Sequence, residues 1–456
     1  MKTIKYIIGV ALATMLIACS SDYEHLVLEI PEVPIIPEIV AETIPLSDVL
    51  EEMFSAFDLL PAQEGRTRST RSAMEQQMSV ATIYAHHVGA STRFATRSTS
   101  QEDEDVPLLY VVNFEEGGFS ILAASTHIPA TVIAISNESN FCPSHFSIYD
   151  NRFIPCEELG SDFQLFNTAR NDYYVASGDE IGNFIAGMIV QFSMNGQEIY
   201  DRRPPPEFYC PGAPPPTWRV VRQVGSLMHP NITSWRQWYP FNTAAPMRGP
   251  VWNRGLAPVG CVPLALAQII THNAHPQTTT WNGRTASWFD KQRFASWNSS
   301  TTNTGLTIAQ MLRVIGSDVN ALYTRNWTFA LPFYAERFLN RIGYRSVNLR
   351  RYYYEDGILA MIRNNRPVFV AAVSGVVNGH AWVIDGYMIR ERGLHTQQTL
   401  VHCVWGWGGR GNGWYESGIF NSMPVIHNNT HGHFLPGFAN WNKNNWIFRT
   451  IMYTIP

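Results

Sequence analysis

Gly260-Cys261-Val262-Pro263-Leu264-Ala265-Leu266-Ala267-Gln268-Ile269-Ile270 is a helix written together with its own start. Pro263 suits a first helical turn, where a missing N–H removes nothing. The apolar run after it continues to about His272. Cys261 therefore stands at a helix N-terminus. There the helix dipole and free N–H groups favour a thiolate and lower the thiol pKa. The same N–H groups can hold an oxyanion. Read alone, the stretch gives a second meaning equally well: a buried cysteine ahead of a core helix, since free cysteine is among the most buried residue types.

A thiolate nucleophile needs a base within hydrogen-bond reach. Far downstream, Pro367-Val368-Phe369-Val370-Ala371-Ala372-Val373 reads as a strand. After the turn at Gly375 comes Asn378-Gly379-His380-Ala381-Trp382-Val383-Ile384-Asp385-Gly386. His380 opens this second strand. Period-2 alternation places His380, Trp382 and Ile384 on one face and Asp385 on the other. Cysteine before a helix and histidine on a distant strand is the pattern expected of thiol peptidases.

Several stretches together resemble the streptopain family of cysteine peptidases. They are the Cys261 helix closed by His275-Pro276, the Arg366-Pro367-Val368 strand with the Gly379-to-Gly386 run, and Trp405-Gly406-Trp407-Gly408-Gly409 followed by Asn412-Gly413-Trp414-Tyr415. Gln237 with Pro240-Phe241-Asn242 is a fourth. The segments Ile308 to Ile315 and Tyr334 to Tyr344 match the connecting helices. The resemblance covers roughly residues 225 to 456. It implies an α+β fold, a papain-like cysteine peptidase domain preceded by a β-rich propeptide domain. It implies Cys261 as nucleophile, His380 as general base and then acid, and Gln237 as a side-chain donor to the oxyanion. It implies that Trp405 packs beside the imidazole, that Gly379 leaves room for substrate backbone, and that Trp407, like Gly379, is substrate-binding. One departure stands out: the family's asparagine before the first tryptophan is Val404 here, so a dyad is expected rather than a triad.

Outward from this core, the chain divides at a proline-rich bridge, residues 204–216, containing two triple prolines. The peptidase domain occupies 217–456 and the inhibitory propeptide-like domain 76–203. In the latter, Leu108 to Phe114, Gly118 to Ala123 and Thr131 to Ile135 read as strands, and helices are expected over about Phe163 to Ala176 and Ile181 to Phe192. Residues 20–75 form a tether and linker that holds a short helix over Leu46 to Leu60. Residues 1–19 join a basic start to an apolar stretch ending Leu16-Ile17-Ala18-Cys19, which resembles a bacterial lipobox with Cys19 as the lipidated residue. That implies export, a membrane lipid anchor, and an outer-membrane or cell-surface location.

The chain has 456 residues, enough for two domains and a leader. A net charge of -4 leaves no basic footprint for nucleic acid. No C-x-x-C occurs, so neither metal nor cofactor is expected. Cys142 and Cys156 are close enough in sequence to bridge. His272-x-x-His275 reads as a helix end, and His427, His431 and His433 as a loop on the substrate side. The expected product is a lipid-anchored endopeptidase, made as a zymogen and acting on proteins or peptides. The alternative is a weak or inactive peptidase-fold surface binding protein, motivated by Val404.

Overall fold

The computed structural model describes residues 43–61, 78–84, 107–114, 117–126, 128, 130–136, 164–167, 172–175, positions 185, 188, 189 and 192, and then 217–251, 254–276, 302–374, 378–393, 396–420 and 446–456. The expected leader and Cys19 (residues 1–19), Cys142, Cys156, Cys210, the proline-rich bridge and His427 to His433 lie outside them.

The apolar runs of the sequence become strands of one large antiparallel sheet. From one edge it begins with β1 (Met78–Tyr84), β2 (Pro107–Phe114), β3 (Phe119–Ala123) and β4 (Val132–Ser136). It continues through β16 (Gly413–Glu416), β15 (Thr396–Val404), β14 (Asn378–Arg392) and β13 (Val368–Ser374) to β17 (Trp446–Thr454) and β12 (Arg345–Arg350). The strands N-terminal to the proline-rich bridge thus share a sheet with those after it. The junction is β4 on β16, where Ile135 pairs with Trp414 and Ala134 with Tyr415. The long β14 pairs with β13 over its first half. Over its second half it pairs with β15 on one side and with β7 (Trp218–Val224) on the other.

These strands are apolar on both faces because both faces are covered. On one face, Leu109, Val111, Ile121 and Ala134 join the core that contains α3 (Cys261–His272) and α4 (Asn303–Asp318). On the other, Tyr110, Val112, Leu122 and Ile135 join Met388, Leu400 and Trp414 beneath α1 (Leu46–Leu59). Helix α1 presents Val49, Met53, Phe54 and Ala56 to this second core, a spacing that follows the helical repeat. Residues 262–271 of α3 are all buried, which is why its sequence is apolar nearly all round. The described residues also form the short α2 (Pro230–Thr233), α5 (Pro332–Arg341) and α6 (Glu355–Arg363). Two small hairpins pair β8 (Met247–Arg248) with β9 (Gly255–Leu256) and β10 (Leu322–Tyr323) with β11 (Thr328–Phe329).

The α+β expectation holds, as do the strands read at 108–135 and the helix at Leu46 to Leu59. The described positions Ile185, Met188, Ile189 and Phe192 are helical and buried, as expected. The helix expected over Phe163 to Ala176 is not formed. That stretch folds as a hairpin, β5 (Gln164–Asn167) on β6 (Asp172–Val175). Phe166, Tyr173, Tyr174 and Val175 are residues that favour strands.

Candidate active site

The nucleophile's place is fixed by Gly260. It caps α3 with φ 93°, a left-handed value that glycine adopts freely. A Cβ here would lie 2.9 Å from Thr328 Cγ2. Thr328 is held in turn by its hydroxyl, which donates to the Pro258 carbonyl at 2.7 Å. Cys261 is half-buried as a residue and free of any disulfide. Three backbone N–H groups favour its thiolate: those of Ala381, Val262 and Cys261 itself. Ala381 follows His380 on β14, so helix and strand meet at the thiol.

Burial nonetheless pushes the thiol pKa up, outweighing the three donors. The lowered thiol pKa expected from a helix start is therefore not found. Desolvation of a charge in an apolar surround opposes the dipole and exceeds it. The same burial lowers His380 to about 4, against a smaller upward pull from the Trp405 carbonyl. Both groups are thus neutral near pH 7.

His380 is buried at 6% exposure. Its Nε2 lies 2.8 Å from the Trp405 backbone oxygen and 2.9 Å from the Trp407 indole nitrogen. A carbonyl only accepts, so the first bond needs a hydrogen on Nε2. An indole N–H only donates, so the second needs a bare Nε2. The two bonds belong to opposite tautomers. The Trp407 ring lies 5.0 Å from the imidazole at 29°. The Trp405 ring is further off, at 6.3 Å, and fully buried. Trp407 is therefore the nearer cover, and Trp405 acts on the imidazole through its backbone.

Val404 is a core residue with 0% exposure, paired with Val383 across the sheet. The acceptor that an asparagine side chain would offer is supplied by the next carbonyl. Asp385 points away from His380, as strand alternation requires. It accepts from Ser226 Oγ at 2.6 Å and Met228 N–H at 3.0 Å, and contacts His402 Nδ1 at 2.6 Å. It therefore anchors the chain that leads from β7 into α2. Cys403 is fully buried and packs in the core, and its buried neighbour His402 is the imidazole that Asp385 holds.

Gln237 is nearly buried, and its carbonyl accepts from Val259 N–H at 2.9 Å, just ahead of the nucleophile. The neighbouring Arg236 bridges Trp407, and Gly408 N–H donates to the Trp235 carbonyl at 3.1 Å. The glutamine segment, the tryptophan loop and the nucleophile loop are thus mutually tied. Gly379 is exposed at the start of β14. A Cβ there would meet Val373 Cγ2 at 3.3 Å and the Ala372 carbonyl at 3.4 Å, so the glycine also eases the β13–β14 pairing.

Asn412, three residues beyond the Trp405-to-Gly409 run, is fully buried. Its Oδ1 accepts from Trp405 N–H at 3.0 Å, and its Nδ2 donates to the Thr233 carbonyl at 3.1 Å. No sequence periodicity marks such a bond, because its partners are backbone groups. His272 and His275 do not converge: His272 Nε2 is 3.4 Å from the Asn365 carbonyl, and His275 packs edge-on to Tyr344. Among the described residues, no group of His, Cys, Asp or Glu is arranged to hold a metal.

Residues 235–415 match the Peptidase C10 family, which bears out the streptopain-family resemblance. The chain is 25% identical over 213 residues to the thiol protease/hemagglutinin PrtT of Porphyromonas gingivalis. That alignment covers 41% of this chain and 23% of the length of that relative. A fragment of prointerpain A from Prevotella intermedia is similar over 76% of this chain and 96% of its own, at 16% identity and a TM-score of 0.48.

Proposed function

We propose, from the Peptidase C10 match over residues 235–415, that the chain is a cysteine endopeptidase made as a zymogen. The observation that carries this reading is the thiol at the start of α3, met by the N–H of Ala381 beside a buried His380. With Nε2–H held on the Trp405 carbonyl, Nδ1 is the nitrogen that exchanges a proton with Cys261. The base withdraws the thiol proton as sulfur attacks the substrate carbonyl carbon. The oxyanion that forms takes hydrogen bonds from the Cys261 backbone N–H and the Gln237 side-chain amide. His380 then gives its proton to the leaving amine, and the C–N bond breaks to leave a thioester. Water, deprotonated by His380, hydrolyses the thioester and restores the thiol. Trp407 covers the imidazole during these steps.

The segment before the proline-rich bridge acts in this reading as the chain's own inhibitor, its strands seated against β16. The leader and Cys19 support export and lipid anchoring at the outer membrane or cell surface.

The test is labelling by an epoxysuccinyl thiol-protease inhibitor after cleavage within 204–216. Modification at Cys261, with casein hydrolysis abolished in Cys261→Ala, is the expected result. Hydrolysis that persists in Cys261→Ala would exclude the mechanism. An unlabelled, inactive wild type would favour a binding protein on a peptidase fold.

A further inference from the structure

The carbonyl that receives His380 Nε2–H belongs to a loop with little regular structure. Gly406, Gly408, Gly409 and Gly411 all have positive φ. A loop of this kind holds a backbone oxygen in place only if something else fixes it, because glycine restricts the backbone least. Two anchors flank the Trp405 carbonyl. On its C-terminal side, Gly406 abuts α3: a Cβ there would lie 2.8 Å from Leu264 Cδ2. On its N-terminal side, Trp405 N–H is held by Asn412 Oδ1 at 3.0 Å. Asn412 is itself fixed at its other end by the Thr233 carbonyl on α2 and by its own N–H on the Gly409 carbonyl at 3.2 Å.

We propose that Asn412 is a positioning residue for the Cys261–His380 chemistry, setting the imidazole's orientation through the Trp405 backbone. The inference rests on the peptidase reading above. It assigns the orienting task that Val404 cannot perform to a side chain that never touches the histidine. The amide acts at one remove: it fixes a carbonyl, and the carbonyl selects the Nε2–H tautomer that leaves Nδ1 as base. The bond from Asn412 to Thr233 also ties this orientation to the segment that continues into Gln237.

The experiment compares full-length wild type, Asn412→Ala, Asn412→Gln and Asn412→Asp after cleavage within 204–216, with Cys261→Ala as the blank. Three quantities are read: kcat and KM on a peptide substrate, the melting temperature, and the nitrogen-15 and proton signals of the His380 ring. Asn412→Gln, which keeps both the acceptor for Trp405 N–H and the donor for the Thr233 carbonyl, is the conservative rescue. Asn412→Asp serves as the variant that loses the donor to Thr233. In Asn412→Ala, kcat is expected to fall about 10- to 100-fold with KM within about twofold, as for a misplaced catalytic group. The His380 Nε2–H signal expected in wild type should lose its protection. Asn412→Gln should recover most of the lost kcat, to within about tenfold of wild type, and restore that signal. If Asn412→Ala does not fold, Asn412→Gln and Asn412→Asp decide: kcat and ring signal that change together support the proposal, and a lowered kcat with an unchanged ring signal overturns it. Wild-type kcat and an unchanged ring signal in Asn412→Ala would also overturn it. So would losses that follow melting temperature alone. Should wild type show no Cys261-dependent hydrolysis while the ring signal still responds to Asn412→Ala, the peptidase reading falls and the positioning role stands.

Discussion

Cys261 and His380 are each held in the neutral form by the same cause, removal from water. The thiol rises despite three N–H donors, and the imidazole falls to about 4. A neutral pair means that sulfur gains nucleophilicity only as its proton is drawn away, so the base must be unprotonated. Above about 4, His380 is neutral and able to accept; below it, the acceptor is lost. Alkylation of Cys261 by iodoacetamide in the intact chain should therefore show no step near 6.5, the ordinary histidine value, and should still be rising above pH 9. A plateau between about pH 5 and 8, with reactivity falling only below it, would mean a thiolate–imidazolium pair and would refute the neutral description. The same shift acts on stability. Between 6.5 and about 4 the unfolded chain binds the proton and the folded one does not. The histidine's contribution is then intact above 6.5 and is lost as pH falls through that window.

At the scale of elements, the junction of loop and α3 carries the nucleophile, and Gly260 is its weak point. Gly260→Ala places a side chain at φ 93° and 2.9 Å from Thr328 Cγ2. With ψ at 147° as well, this backbone lies in a region adopted essentially by glycine alone, which disfavours alanine by about 1–3 kcal/mol. Thr328 cannot retreat freely while its hydroxyl holds Pro258. The variant should lose about 1–3 kcal/mol in urea unfolding and show slower labelling of Cys261. Unchanged stability would mean that the cap relaxes without strain. The sequence made this junction readable because a glycine, a cysteine and a first-turn proline are local signals. Asp385 was readable as well, since alternation from His380 suffices to turn it away. The hairpin at 164–175 was not, because aromatic residues spaced through a short segment satisfy helical and strand patterns alike. Nor was the pairing of His380 with the Trp405 carbonyl, or of Asn412 with Trp405 N–H. Both bonds end on backbone atoms, which every residue possesses, so residue identity carries no mark of them. The lowered thiol pKa failed for a related reason: a helix start is local, while desolvation depends on everything packed around it.

Across the whole molecule, a chain of polar contacts crosses from the segment before the proline-rich bridge to the one after it. Glu52 on α1 accepts from the Trp218 indole N–H and from Arg392 at the ends of β7 and β14. Arg390, fully buried, lies over the Trp218 ring at 4.2 Å and donates from Nε to Gln398 Oε1 at 2.7 Å. Gln398 Nε2 then donates to the Val132 carbonyl on β4 at 2.7 Å. Together with the β4–β16 pairing and the apolar seat of α1, these contacts do not depend on an intact bridge. A chain cut at an engineered site within 204–216 should therefore keep its two pieces together on gel filtration at neutral pH. Glu52→Ala removes the acceptor for both Trp218 and Arg392. Leaving such partly buried donors unpaired costs about 1–3 kcal/mol, and more for a charged one. The cut Glu52→Ala chain should then separate at clearly lower urea than the cut wild type, while the uncut variant, whose pieces remain tethered, should shift less. Wild-type pieces that part spontaneously on cutting would show that the covalent bridge, rather than the shared sheet and the Glu52 contacts, keeps the front segment in place. Equal urea midpoints for the two cut chains would remove Glu52 from the account and leave the strand pairing and the α1 core as the holding contacts.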